Sequence, residues 1–170
     1  MSAEFRIRDW LHPPIKILQE AGVHRGMTVL DFGCGPGGFS LAAAQLVGPE
    51  GLVFAVDIHP LAVKSVQRAA NKEGVNNIRT ILGDGISEIR DGTVDIALCY
   101  DVLHDLQQPA TILAEFHRVL QTDGVLSVSD HHMREAPLLA AVTGGSLFYL
   151  DGSKRWGFQF RKTETSGAAP

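Results

Sequence analysis

The sequence predicts an α/β fold built on a mostly parallel sheet, and two observations support this prediction. Short apolar runs alternate along the chain with longer amphipathic runs, which is the pattern of parallel strands joined by helices. Hydrophobic residues make up 45% of the 170 residues, enough for one substantial core. We therefore expect a single domain over residues 1–163, followed by a small, polar, flexible tail over 164–170.

The first half of the chain divides at proline and glycine residues. A helix over 13–21 begins at a proline pair and ends before Gly22, and a second helix over 60–73 is bounded by Pro60 and Gly74. Between and after them we expect three apolar strands and a further helix: strands over 27–32, 53–57 and 78–82, and a helix over 37–47.

The second half continues the alternation. Residues 94–100 are nearly all apolar, as in a strand buried on both faces. Ile112, Phe116 and Val119 lie on one side of a helix predicted over 109–120. A strand over 125–129 and a short helix over 136–142 follow. Apolar runs over 146–150 and 156–160, separated by Asp151-Gly152-Ser153, predict a hairpin.

The segment from Val29 to Ser40 is the most informative part of the sequence. An apolar run leads to Asp31, then to four glycines within six positions, and then to the start of a helix. Glycine permits positive φ and close approach of a ligand to the backbone. The unpaired N–H groups of the helix start would face that ligand. We therefore expect a ligand held by backbone at this turn.

Two classes of ligand use such a turn. Gly33, Gly35 and Gly38 satisfy the dinucleotide fingerprint, and Asp57 lies near the distance expected for its ribose-binding acid. Asp31 argues against a dinucleotide, because a carboxylate beside the pocket would repel the pyrophosphate. The same carboxylate suits a ligand that carries an amino group and a sulfonium.

The segment resembles motif I of the class I S-adenosylmethionine-dependent methyltransferases, with Asp31, Gly33, Gly35 and Gly37 at the motif positions. The resemblance covers about residues 13–163. It implies a Rossmann-like seven-stranded sheet of order 3-2-1-4-5-7-6, with strand 7 antiparallel and helices on both faces. The first strand is similar to the quinone-biosynthesis and arsenite methyltransferase branches. An arsenite acceptor needs several thiols. Because the chain has only Cys34 and Cys99, arsenite is not expected as the acceptor.

The resemblance implies a set of residues that bind S-adenosyl-L-methionine. Asp57 would accept hydrogen bonds from the ribose hydroxyls, and Ile58 would pack on the adenine. Asp84 would accept from the adenine amino group, with Gly85 and Ile86 beside the ring. An ordinary reading remains for each acid, since Asp57 could cap a helix and Asp84 could form an Asp-Gly turn. The complete set also includes the motif I residues and Tyr100: Asp31, Gly33, Cys34, Gly35, Gly37, Asp57, Ile58, Asp84, Gly85, Ile86 and Tyr100.

The acceptor side is expected at the ends of the fourth and fifth strands. Tyr100 and Asp101 would border the cofactor and the acceptor. His104 has two interpretations, a base on the acceptor side or a structural group under the loop. His131 is a candidate base or pocket wall, or part of a solvated loop. No metal is expected at Asp130-His131-His132, because neighbouring residues on extended backbone point in opposite directions. The catalytic candidates are His104, Asp101 and His131.

These features predict methyl transfer to a small-molecule acceptor. The net charge of −4 and pI near 5.9 give no basic footprint, so a nucleic-acid acceptor is not expected. A cytoplasmic protein without a membrane segment is expected. A second copy of the chain is one way to close the acceptor site. Two alternatives stay open. One is a non-catalytic cofactor-binding or partner subunit. The other is an NAD-dependent oxidoreductase, against which stand Asp31 and the absence from the sequence of a substrate domain of the usual size.

Overall fold

The computed structural model of the chain describes residues 14–83 and 85–163. Five helices are found there: α1 Pro14–Ala21, α2 Gly38–Val47, α3 Pro60–Glu73, α4 Pro109–Val119 and α5 Glu135–Thr143. The strands are β1 Thr28–Phe32, β2 Leu52–Asp57, β3 Ile78–Leu82, β4 Val94–Tyr100, β5 Leu120–Ser129, β6 Phe148–Lys154 and β7 Gly157–Lys162. A short 3₁₀ turn, Leu103–Asp105, follows β4.

The strands form one sheet in the order β3-β2-β1-β4-β5-β7-β6. Neighbours among the first five strands are parallel, while β7 runs antiparallel to both β5 and β6. The expected fold class, strand order and strand direction are confirmed. The order reverses direction at β1 and β4, and in such sheets ligands bind beyond the carboxyl ends of the strands at that point.

Alternating side chains of the strands bury the two faces of the sheet under different helices. On β1, Val29 packs with Leu18 of α1 and Val47 of α2, whereas Leu30 faces the side covered by α4 and α5. The same alternation along β4 turns Leu98 toward α1 and α2, and Cys99 toward α4. Helices therefore cover both faces of the sheet, and the alternation decides which face each polar strand residue points to.

The turn of the C-terminal hairpin was predicted at Asp151-Gly152-Ser153, and this position is wrong. Those residues lie within β6, where the pairing is irregular between Leu150 and Gly152. Lys154 pairs with Gly157, so Arg155 and Trp156 form the turn. The register is fixed by the fully buried Phe160 and the almost fully buried Phe148. Burial therefore outweighed the local turn preference of Asp-Gly.

One predicted strand begins earlier than expected, and some predictions concern residues outside the described ranges. β5 begins at Leu120, five residues before the predicted start, directly after α4. Asp84, the tail over 164–170 and the predicted first residue of α1 lie outside the described residues. Of the helices in the described ranges, none combines the length and apolar character needed to cross a bilayer.

Candidate functional site

Backbone hydrogen bonds fix the turn between β1 and α2 against the end of β2. The N–H groups of Gly33 and Cys34 both donate to the carbonyl of Val56, at 2.8 and 2.9 Å. The Gly37 N–H donates to the Cys34 carbonyl at 3.0 Å. These groups precede the helix start at Gly38, whose unpaired N–H groups are the ones expected to face a ligand. The turn is consequently ordered by β2 before any ligand arrives.

The glycines of this turn serve different purposes. Gly33 has φ +77°, and a Cβ there would overlap Cγ2 of Val102. Gly37 has φ +97°, and a Cβ would lie 2.9 Å from Cγ2 of Val66. Gly35 has φ +51°, but no described atom lies within 4 Å of its Cβ position. Gly33 and Gly37 therefore permit packing, whereas Gly35 leaves open space above the turn.

Asp57, at the end of β2, links the turn to the start of α3. Its Oδ2 accepts a hydrogen bond from the Gly35 N–H at 2.9 Å, and its Oδ1 accepts from the His59 N–H at 2.8 Å. The residue is 9% exposed. A carboxylate accepting two N–H groups is well ordered, and each oxygen retains a lone pair for a further donor.

Asp31 lies deeper, on the face of the sheet that α2 covers. It is 3% exposed, and its Oδ2 accepts a 2.5 Å hydrogen bond from the hydroxyl of Ser40. Burial, with a smaller contribution from the charge of Asp57, raises the pKa of Asp31 to about 6, although Ser40 opposes the shift. A nearby cation would favour the ionised form of this carboxyl.

Tyr100 and Cys34, two predicted cofactor contacts, point into the protein. Tyr100 shares a 2.8 Å hydrogen bond with Ser127 and packs edge-on against Phe39 at a ring distance of 5.0 Å. Burial raises the pKa of its hydroxyl to about 12. The Cys34 thiol is buried, and burial raises its pKa well above the usual range. Neither side chain is presented as a reactive group.

A cleft of about 250 Å³ opens above the carboxyl ends of β1, β2 and β4. Three predicted cofactor residues, Gly33, Asp57 and Ile58, line it together with Asp101. Ile58 is 61% exposed, so an apolar side chain is available at the rim. We call this the glycine-loop cleft; its remaining lining residues are Phe32, Val56, His59, Gly83, Val102, Asp105 and Leu106.

The predicted adenine contacts are less fully described. Gly85 is exposed, while the Ile86 side chain is completely buried in the core. Ile86 therefore has only its backbone to offer a ligand. Neither residue lines the glycine-loop cleft, which reaches Gly83 on this side.

Two aspartate–histidine pairs join the loops after β4 and β5 in a crossed arrangement. Asp101, after β4, accepts hydrogen bonds from the N–H and the ring Nδ1 of His131, at 2.9 and 2.7 Å. Asp130, after β5, accepts from the N–H and the ring Nδ1 of His104, at 3.1 and 2.9 Å. Each loop thus supplies one acid and one histidine to the other. Asp101 holds φ +56°, uncommon for a residue other than glycine.

The His104–Asp130 pair is the more buried of the two. Burial by itself would raise the pKa of Asp130, but hydrogen bonds from His104 and from the His132 N–H outweigh it and hold the pKa below its ordinary value. The hydrogen bond that His104 donates to Asp130 raises the pKa of His104. The His104 ring also lies 4.4 Å from the ring of His132, and its Nε2 is 3.4 Å from Asp105. Both shifts favour a charged pair that braces the loops.

His131 is differently situated, because 72% of its side chain is exposed. Asp101 can only accept at Nδ1, so in a neutral ring the lone pair lies on Nε2. An exposed Nε2, oriented through Nδ1 by a carboxylate, is the arrangement of a general base. The structure therefore brings His131 and Asp101 together and pairs His104 with Asp130 instead.

A second opening of about 340 Å³ lies on the other side of His131. It is bounded by the end of β5, the start of α5 and the β6–β7 turn. We call it the hairpin cleft; its lining residues are Ser129, Asp130, His131, Met133, Glu135, Leu138, Lys154, Arg155, Trp156, Gly157 and Phe158. Asp101 lines the first cleft and His131 the second, so their 2.7 Å hydrogen bond joins the two.

Sequence reasoning missed the pairing of Asp130 with His104 and the residues of the hairpin turn. A signal was present for the first, since each of the two loops contains both an aspartate and a histidine. The turn residues Arg155 and Trp156, and Lys154 before them, gave no such signal, because the turn itself was predicted elsewhere. Within residues 14–83 and 85–163, no group of three or more His, Cys, Asp or Glu side chains is arranged to hold a metal ion.

Comparison with known proteins connects this geometry to a family. A family model described as a methyltransferase domain matches residues 23–159. A solved structure described as a SAM-dependent methyltransferase from Aquifex aeolicus superposes with a TM-score of 0.79 and 26% identity, covering 90% of this chain and 89% of that one.

Curated relatives are longer than this chain. A demethylmenaquinone methyltransferase of Geobacillus stearothermophilus is 27% identical over 64% of this chain and 47% of its own length. A ubiquinone biosynthesis O-methyltransferase of Pseudomonas paraeruginosa is 30% identical over 81% of this chain and 58% of its own length. The chain thus spans about half the length of these two relatives.

Proposed function

The chain belongs to the S-adenosylmethionine-dependent methyltransferases, and on that premise we propose that it transfers a methyl group from S-adenosyl-L-methionine to a small-molecule acceptor. The observation that carries the proposal is the hydrogen-bonded pair of Asp101 and His131. It connects the glycine-loop cleft to a second cleft with room for another molecule. A donor and an acceptor need such adjacent sites.

The residues of the glycine-loop cleft fit the cofactor together with Gly35 and Asp31, which lie in the adjoining β1–α2 segment and do not line the cleft itself. The open space at Gly35 leaves room for a ligand over the turn, as the motif requires. Asp57 is fixed by two N–H groups and retains lone pairs for ribose hydroxyls, while Ile58 offers an apolar rim for adenine. Asp31 is a buried acid suited to a positively charged group. When bound, S-adenosylmethionine supplies a methyl group already activated by the positive charge of its sulfonium.

The protein's part in the reaction is orientation and proton removal. Asp57 and the preordered turn would hold the donor, which lowers the entropy cost of alignment. Among the candidate bases, His131 has the exposed Nε2 and the orienting Asp101, so it would take a proton from the acceptor. His104 would act as a positioning residue, since its Nδ1 and N–H both bind Asp130.

A hydroxyl-bearing acceptor is the class this arrangement favours. A hydroxyl must lose its proton during methylation, and His131 is oriented to accept one. The relative from Pseudomonas paraeruginosa carries the name O-methyltransferase, which supports the same class. The predicted homodimer and cytoplasmic location stay predictions.

The proposal is tested by mixing the protein with methyl-labelled S-adenosylmethionine and a panel of hydroxylated small molecules. Label appearing in an extracted product, together with S-adenosylhomocysteine, is the expected result. The matched control is Asp57→Ala, which should lose transfer in proportion to its weaker cofactor binding. Cofactor binding without transfer to any acceptor would favour the non-catalytic alternative instead.

A further inference from the structure

The hairpin cleft has a distinct chemical character that the proposed function does not use. One wall is apolar, formed by the buried Leu138 and the half-buried Met133 and Phe158. The lining also includes the end of β6 and the β6–β7 turn, where Lys154 and Arg155 are both exposed. An apolar slot with a few convergent polar groups is the usual form of a small-molecule site.

The turn holds its cationic and aromatic groups together. The guanidinium carbon of Arg155 lies 4.9 Å from the ring centre of Trp156, a cation–π contact that keeps the charge at the turn. Among the described residues, neither Lys154 nor Arg155 forms an ion pair with a carboxylate. Their charges are therefore available to an anionic ligand.

The acids around the cleft are offset by other groups. Asp130 is paired with His104 and accepts the His132 N–H. Glu135 is exposed in the first turn of α5, where the positive end of the helix dipole partly compensates it. Lys154 and Arg155 therefore supply the cationic part of the cleft lining, which also includes His131.

We infer that the hairpin cleft binds the methyl acceptor, and that this acceptor is a planar aromatic hydroxyl compound carrying a carboxylate. The ring would lie along the apolar wall and the carboxylate against Lys154 and Arg155. The hydroxyl would meet Nε2 of His131. This inference rests on the proposed function, because it identifies the acceptor of that reaction.

The test compares three probes that share a catechol ring and carry a negative, a neutral or a positive substituent: 3,4-dihydroxybenzoate, 3,4-dihydroxybenzamide and dopamine. Affinities are measured by calorimetry on protein saturated with S-adenosylhomocysteine. We expect the benzoate to bind about tenfold more tightly than the amide, the scale of a partly solvated charge-assisted contact. Dopamine should bind least tightly.

A double variant isolates the turn cations. Lys154→Gln with Arg155→Gln should reduce benzoate affinity to that of the amide and leave the amide unchanged. Both side chains are exposed, so the fold should tolerate the change. Arg68→Gln with Lys72→Gln, exposed positions on α3 outside the cleft, carries the same charge change and should leave the preference intact.

The outcomes separate the two proposals. If S-adenosylhomocysteine does not bind, the proposed function fails and the inference fails with it. If it binds but no probe does, or the three bind equally, only the acceptor inference is overturned. An anion preference that survives in the double variant also overturns it.

Discussion

The glycine-loop cleft and the hairpin cleft are built by different means. In the first, the N–H groups of Gly33 and Cys34 bind the carbonyl of Val56 at the end of β2, so backbone atoms hold the turn in place. The second depends on side chains from loops far apart in the chain: Asp101 with His131, and His104 with Asp130. Backbone geometry fixes the first cleft, and side-chain identity fixes the second.

The contrast indicates how the two sites can vary. Backbone hydrogen bonds do not depend on side chains, but the turn tolerates few residues besides glycine, since Gly33 and Gly37 have positive φ and close neighbours. The crossed acid–histidine pairs can be altered one side chain at a time without disturbing the sheet. Substitutions should therefore separate cofactor binding from catalysis.

The largest effect is expected from Gly35→Val. No described atom lies near the Cβ position of Gly35, so the valine side chain meets no overlap, although positive φ strains its backbone. The side chain fills the space proposed for the cofactor. Binding of S-adenosylhomocysteine, measured by calorimetry, should be lost. Gly22→Val is the matched control, because Gly22 also has positive φ and open surroundings but follows α1, away from the β1–α2 turn. Normal binding by Gly35→Val would show that the cofactor does not approach this turn.

Gly33→Val sharpens the same prediction. Its side chain would overlap Val102, so the fold itself should suffer. The melting temperature should fall well below that of Gly35→Val. Equal stability of the two variants would contradict the distinction between packing glycines and space-making glycines.

His131→Ala should affect the rate and spare cofactor binding. Removal of a general base typically lowers kcat by about 10²–10⁴-fold. Steady-state kinetics with an acceptor that supports turnover measures the loss, and calorimetry with S-adenosylhomocysteine should give an unchanged affinity. His24→Ala, at an exposed histidine outside both clefts, is the control. An unchanged kcat would remove His131 from the mechanism.

Asp57→Ala should weaken cofactor binding by about 1.5–3 kcal/mol, the scale of hydrogen bonds to a charged group. The variant loses the proposed ribose contacts and also frees the N–H groups of Gly35 and His59. Asp57→Asn keeps one acceptor oxygen and should lose less. Titration of each variant with S-adenosylhomocysteine measures the difference, and equal affinity of Asp57→Ala and the parent would place the ribose elsewhere.

The smallest effect is expected from Asp130→Asn, and it is a pH-dependent change in the stability of the fold. The pKa of His104 is raised from 6.5, so its pairing stabilises the fold fully below that pH and is lost as pH rises through the higher folded value. The pKa of Asp130 is lowered from 3.8, so the stability that its charge contributes is fully present above that pH. The pair is therefore strongest between these two values. Asp130→Asn should lower the melting temperature more at about pH 5.5 than at about pH 9; the opposite trend would contradict a charged pair.

The fold was predictable because its signals are local. Proline and glycine boundaries located the helices, and the glycine motif identified the family whose sheet order this chain has. The hairpin turn was mispredicted because burial of Phe148 and Phe160 sets the register, and burial depends on the whole sheet.

The candidate site was predictable in part for the same reason. Gly33, Asp57 and Ile58 were named from motif positions, and they line one cleft. The hydrogen bond between Tyr100 and Ser127 was not predicted, and the contact of Tyr100 with the cofactor stays a prediction. The partner of each histidine could not be read from the sequence, because the contact joins loops brought together only by the parallel pairing of β4 and β5.

The most direct test of the account is calorimetric titration of the protein with S-adenosylmethionine, S-adenosylhomocysteine and NAD. The account predicts micromolar binding of the first two and none of NAD. Binding of NAD alone would contradict the assignment of the glycine-loop cleft, and binding of none of the three would contradict a site that is complete in this chain.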